Sequence, residues 1–178
     1  MCHAGAVSDH PDGAAADRVR PTEVGDERAT LTELLDFLRA TVVMKTCGLS
    51  DEAAASRPVP VSALTIAGVV KHLAGVERFW FSIDYAGHLL PWPWPEDDPH
   101  GCFPLEPGDT LAAIVADYQA ECARSRTAIG DDPLDSFARS DGMNFTLRYA
   151  LAHMIEETAR HCGHLDLLRE SIDGVAGE

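Results

Sequence analysis

Residues 144–173 carry one apolar stripe whose members recur every three or four positions along the whole segment. Its members are Leu147, Leu151, Met154, Leu165, Leu168 and Ile172. This period is that of an α-helix with one buried face, and the segment is far too long for a strand. Asn144 is the expected N-cap and Gly174 the expected stop. Continued from Met154, the same repeat places Glu157 and His161 at positions that a helix normally buries.

Three further segments show helical periodicity, and none shows the alternation of a strand. They are expected to span roughly 26–47, 65–86 and 109–129, with Thr65 as the N-cap of the second. Between the second and third, prolines at 91, 93 and 95 exclude a regular helix. Four long helices, with two of their connections longer, predict an all-α fold, a four-helix bundle. In such bundles, facing side chains build ligand sites.

The chain has 178 residues and a formal net charge of −15. This charge disfavours nucleic acid and anionic membranes as partners, because phosphate binding requires clustered Lys and Arg. We expect a flexible tail over residues 1–21 and one domain over residues 22–178. No secretory signal or membrane-spanning run is recognisable, so a cytoplasmic location is the expectation. The five cysteines are scattered and indicate neither a disulfide framework nor a thiolate zinc site.

Glu157 and His161 are four residues apart, so a helix sets one above the other on the same face. A buried carboxylate is costly unless it is paired or bound to a metal. Together with His72, on the edge of the second helix's apolar stripe, they form a candidate divalent-metal site. Zinc suits these ligands best, with nickel, manganese and iron as alternatives. The simpler interpretation is a hydrogen-bonded histidine and a helix-stabilising pair.

Two long motifs, "TIAGVVKHLAGVERFWF" and "LRYALAHMIEETARHCGHLDLLRESIDG", resemble the DinB-like superfamily. The similarity covers about residues 22–174. It is greatest to an actinobacterial branch formerly catalogued as a domain of unknown function, related to mycothiol-dependent maleylpyruvate isomerase. The resemblance implies a four-helix bundle with a divalent metal held by His72, Glu157 and His161. Many members have histidine at the position of Glu157, and glutamate is a known variant.

The resemblance also implies a metal-dependent enzyme that uses a low-molecular-weight thiol, such as mycothiol, as cosubstrate. The thiol would be transferred to a small electrophilic substrate, or would isomerise it through an adduct. A metal-dependent hydrolase and a non-catalytic bundle that binds a metal or small ligand are the alternatives. A homodimer is expected by analogy only.

Other polar residues on the same helices are weaker candidates. His153 and His164 lie within a turn of the proposed ligands and are candidate catalytic bases. Candidate cosubstrate-binding residues are Arg78, Arg148 and Arg160, although a solvated ion pair is the simpler interpretation of each one singly.

Aromatic residues lie near the expected site. Trp80 is expected in the core, whereas Trp92 and Trp94 belong to the Pro-rich connection and would cover the mouth of the site or anchor the loop.

Overall fold

The computed structural model describes residues 18–94 and 104–176, so residues 1–17 of the expected tail lie outside it. Within the described residues the secondary structure is helical, apart from one isolated bridge between Phe137 and Thr146. The all-α prediction is therefore confirmed. The α-helices are α1 (Glu27–Met44), α2 (Asp51–Ala55), α3 (Ile66–Glu77), α4 (Leu111–Ile129) and α5 (Leu147–Asp173).

Side-chain caps set the starts of the helices. The Thr65 hydroxyl accepts a hydrogen bond from the backbone N–H of Gly68, as expected of an N-cap. The N-cap of α5 is Thr146 and not Asn144, so that prediction was wrong. The reason is the pairing of this segment with the preceding turn: Ala138 donates to the carbonyl of Phe145, and Leu147 donates to that of Ser136. This extended pairing delays the helix until Leu147.

The second predicted helix is one continuous helical segment, but its second half is not α-helical. From Arg78 to Tyr85 the backbone is a π-helix, and the N–H of Ala86 bonds to the carbonyl of Phe81, five residues earlier. A π-helix has more residues per turn than an α-helix, so the buried face of Arg78–Tyr85 is rotated relative to that of α3. Phe81 and Tyr85 are fully buried, whereas Ile83, which an uninterrupted repeat of 3.6 residues per turn would place on the buried face, is only half-buried.

The four long helices pack as a bundle whose apolar interior consists of two clusters of buried side chains. α1 packs along α5, α3 packs along α4, and α3 also meets α5. Gly174, in the left-handed region with φ 79°, ends α5 as predicted. The core is made of apolar side chains, mostly aliphatic, from all four helices. Its fully buried members include Leu35, Val69, Leu73, Tyr118, Leu151, Met154 and Leu165.

A buried ion pair links α1 to α3 inside the bundle. The Arg39 guanidinium donates to both carboxylate oxygens of Glu77, at 2.7 and 2.6 Å, and neither side chain is more than 5% exposed. A third bond runs to Asp36, which also accepts from Arg126 on α4. In the described parts of the chain, no helix is both long and apolar enough to cross a bilayer.

Candidate metal centre

The three predicted ligands meet where α3 faces α5. His72 lies in the middle of α3, between the buried residues Val69 and Val76. Glu157 and His161 lie one turn apart in the middle of α5, where the stripe that buries Met154 and Leu165 passes between the helices. The His161 side chain is 6% exposed, that of His72 10% and that of Glu157 14%. A largely buried polar cluster thus interrupts the apolar contact between the two helices.

The donor atoms of the cluster lie close enough to share one ion. One carboxylate oxygen of Glu157 lies 3.1 Å from Nε2 of His161 and 3.4 Å from Nε2 of His72. One donor atom from each residue lies within 4.8 Å of the other two. Ligands about 2.1 Å from a tetrahedral zinc ion lie about 3.4 Å from one another, so small rotations would suffice to bind it.

Electrostatics keep the carboxylate of this cluster ionised. Hydrogen bonds with His161 and then with His72 hold the pKa of Glu157 far below its usual range, although burial opposes the shift. The other oxygen of Glu157 accepts a hydrogen bond from Arg160, at 3.2 Å. A carboxylate that is already ionised needs no proton removed before it can bind a cation.

His164 contacts His161 on the side of its ring that faces away from Glu157. Its Nδ1 lies 3.3 Å from Nδ1 of His161, the ring nitrogen that faces away from Glu157. The pKa of His164 is lowered, first by burial and then by the charges of His161 and Arg160. The lowered pKa favours the uncharged form of His164, whose Nδ1 can accept a proton from Nδ1 of His161.

His153 and Arg148, which were also singled out from the sequence, contact residues outside the polar cluster. His153 packs between Trp80, with ring centroids 4.2 Å apart, and Tyr149. Arg148 pairs with Glu27 and Asp135, each of which lies outside the cluster.

The remaining two arginines also have carboxylate partners. Arg78 donates to Glu121 on α4, with its Nε 2.9 Å from the carboxylate oxygen. Arg160 pairs with Glu156 as well as Glu157. Of the three candidate arginines, Arg160 is the one that contacts the cluster.

The protein's own buried thiols are poorly suited to nucleophilic chemistry. Cys162 is next to His161 in sequence, yet its side chain points towards the carbonyl oxygen of Leu38. Burial raises the pKa of Cys162, and that of Cys122, to about 12. Both therefore remain protonated at neutral pH.

Aromatic residues beside the cluster were only partly anticipated. The Trp94 ring stacks on His72, with centroids 6.3 Å apart and planes 26° apart. Trp80, expected in the core, is only half-buried. Phe79 and Tyr149, which extend this aromatic surface, were not singled out. The signal that could have found Phe79 is its place in the quoted motif "ERFWF", three residues after Val76.

Comparison with known families agrees with the resemblance seen in the sequence. A family model described as "Mycothiol-S-transferase" matches residues 30–174, a range that contains His72, Glu157 and His161. A search of curated proteins found no match.

Proposed function

The chain belongs to the mycothiol-S-transferase family, and on that premise we propose a metal-dependent enzyme that joins the thiol of mycothiol to a small electrophile. The metal would be held by His72, Glu157 and His161. The observation that carries this proposal is the convergence of their three donor atoms within 4.8 Å at the meeting of two helices. Family membership supports the choice of thiol, and the geometry of the three side chains supports a metal ion.

The donor set suits zinc best. Two imidazole nitrogens and one carboxylate oxygen are the ligands of open zinc sites, which leave a further position for water or substrate. Nickel, manganese and iron also accept such ligands. A divalent ion bound there would supply positive charge that lowers the pKa of a thiol brought to it.

The surrounding residues would hold the ligands in position. His164 would accept the Nδ1 proton of His161 and so direct Nε2 of His161 towards the ion on the side of Glu157. Arg160 fixes the second oxygen of Glu157. In the transfer itself, the thiol sulfur forms a bond to the electrophilic carbon, the leaving group departs with the electron pair, and the thiol proton passes to solvent. An electrophile without a leaving group would give the adduct that an isomerisation requires.

A hydrolase would use the same three residues to activate water, and a non-catalytic bundle would merely bind the ion. Membership of a transferase family favours the thiol reaction over both. Homodimerisation, expected by analogy, is a separate proposal that light scattering would test.

The test is thiol consumption by the untagged protein, stripped with a chelator and reloaded with zinc, nickel, manganese or iron. We expect loss of free mycothiol thiol with an electrophile only in the reloaded protein. His161→Ala should abolish it, whereas His88→Ala, at an exposed residue after the π-helix, should not. Equal turnover by the stripped protein would contradict metal dependence. Turnover of esters or amides without thiol would favour the hydrolase.

A further inference from the structure

A continuous row of aromatic rings leads away from the candidate metal centre. Starting at His72, each ring lies within 6.3 Å of the next, centroid to centroid. The aromatic row, as we call it, consists in order of His72, Trp94, Phe79, Trp80, His153 and Tyr149. It draws on α3 with its π-helical extension, on α5 and on the connection after residue 87. Three separate parts of the chain therefore contribute to one surface.

The start of the row depends on a residue without a side chain. Gly75 lies one turn after His72 on α3, and a Cβ atom there would come 2.9 Å from Nε1 of Trp94 and 3.3 Å from Pro93. Glycine thus creates the space in which Trp94 lies against the helix. From this position the indole reaches both His72 and Phe79.

At the far end of the row the rings are in close contact with one another but are partly exposed to solvent. Trp80 and His153 are 4.2 Å apart, and the rings of His153 and Tyr149 are nearly parallel, at 5°. Even so, Tyr149 is 55% exposed, and Phe79, Trp80 and His153 are only half-buried. Several partly exposed aromatic rings in contact with one another, next to a candidate metal centre, are typical of a binding surface.

The charges around the row favour a neutral ligand. On α5, Arg148 and Arg160 are each paired with two carboxylates, and the chain as a whole carries a net charge of −15. Apart from the ion at the proposed metal centre, a negatively charged substrate would therefore find little attraction along the row. The faces of indole and phenol rings are electron-rich, so they stack best on an electron-poor π-system.

From these observations we propose that the aromatic row binds the electrophilic substrate, and that this substrate is a neutral, planar molecule with an electron-poor π-system. The proposal rests on the proposed function, because it assumes a thiol acceptor at this site. The class is consistent with the chemistry: electron withdrawal, which makes a ring or alkene reactive towards a thiolate, also strengthens its stacking on the row.

The test compares two electrophiles with mycothiol as thiol. 1-Chloro-2,4-dinitrobenzene is planar and electron-poor; the sulfur bonds to its ring carbon, chloride leaves with the bonding pair, and the thiol proton goes to solvent. Iodoacetamide is compact and loses iodide in the same way. Both are measured as turnover above the uncatalysed reaction, in the metal-loaded protein.

Two variants shorten the row and one serves as control. We expect Trp80→Leu and Tyr149→Leu to raise KM for 1-chloro-2,4-dinitrobenzene about tenfold, the factor that corresponds to the loss of one good aromatic contact. KM for iodoacetamide, and the metal content, should not change. Tyr149 is exposed, so its variant keeps the test valid if Trp80→Leu does not fold. Phe137→Leu, at a 64% exposed ring outside the row, should change neither KM.

Equal effects on the two electrophiles, or no effect on either, would overturn the proposal. If the unaltered protein turns over neither electrophile, the proposed function is at fault. The row is then judged by binding alone, through quenching of tryptophan fluorescence by the unreactive planar probe 2,4-dinitroaniline. Saturable quenching that Tyr149→Leu weakens would support the aromatic row as a planar-ligand site, and its absence would contradict it.

Discussion

At the scale of single residues, two carboxylates inside the bundle are held in different ways. Glu77 is 1% exposed and is neutralised by a bidentate bond from Arg39. Glu157 is instead held between two imidazoles, which carry a charge only when protonated. The guanidinium of Arg39 is buried with Glu77, whereas Arg160, a cation that contacts Glu157 directly, is exposed and donates to its second oxygen. The oxygen of Glu157 that faces the two imidazoles therefore remains suited to a metal ion.

The first prediction concerns the contribution of the buried Arg39–Glu77 pair to stability. Arg39→Met should lower the free energy of unfolding by about 3–5 kcal/mol, because Glu77 is left as an unpaired buried charge. Urea unfolding measures it. Arg126→Met removes an exposed arginine that also pairs with Asp36, and should cost at most about 1 kcal/mol. Similar losses in the two variants would show that burial of the Arg39–Glu77 pair is unimportant for stability.

A second prediction concerns acid. Burial alone would raise the pKa of Asp36, but hydrogen bonds from Arg126 and Arg39 outweigh it and lower the pKa. A lowered folded-state pKa stabilises the fold above the unfolded value of about 3.9, and this contribution disappears as pH falls through the folded value. Asp36→Asn should therefore destabilise the protein at pH 7 and progressively less below about pH 4. A pH-independent difference in urea midpoints between variant and parent would contradict this.

The sequence alone was enough to choose the residues of the candidate centre, because helical spacing determines which side chains share a face. Glu157 and His161 follow from one helix, and His72 from the stripe of another. Spacing says nothing about which charged side chain reaches across to which partner. For that reason the sequence could not distinguish Arg160 from Arg78 and Arg148 as a contact of the cluster. The structure distinguishes them by the carboxylates with which each arginine pairs.

At the scale of elements, the end signals were only partly predictive: Asn144, by residue type a stronger N-cap than threonine, is not the cap of α5. Thr65 and Gly174 act as the expected cap and stop. The short helix α2, Asp51–Ala55, was not foreseen, because five residues are too few to show a period. The π-helix after Glu77 was missed for a physical reason: a repeat extrapolated at 3.6 residues per turn assumes that the backbone stays α-helical.

Two glycines in helices provide a matched third prediction. Gly75→Ala should destabilise the protein and change tryptophan fluorescence, because its Cβ would displace Trp94. Gly163→Ala meets no atom within 4 Å and should stabilise α5 by up to about 1 kcal/mol, because alanine favours helix over glycine. Thermal unfolding and emission spectra measure both. Stabilisation by both substitutions would mean that Trp94 does not lie against Gly75.

At the scale of the whole molecule, the bundle places its polar cluster between two helices that are not neighbours in sequence. α3 packs mainly along α4, and α5 mainly along α1, so the contact between α3 and α5 is the smaller one. Polar side chains are least costly where helices approach less closely, since less apolar contact is lost. The sequence predicted four helices, but the choice of neighbours depends on side-chain shape along each stripe.

The proposed metal centre is tested most directly by the metal content of the untagged protein, purified without chelator. The same measurement is made on the variants His161→Ala and His88→Ala. We predict about one divalent ion per chain in the parent, because the three ligands form one site of the open type. His88→Ala should retain the ion and His161→Ala should lose it. An ion that persists in His161→Ala, or a parent without metal whose thermal stability is unchanged by added zinc, would contradict the metal centre.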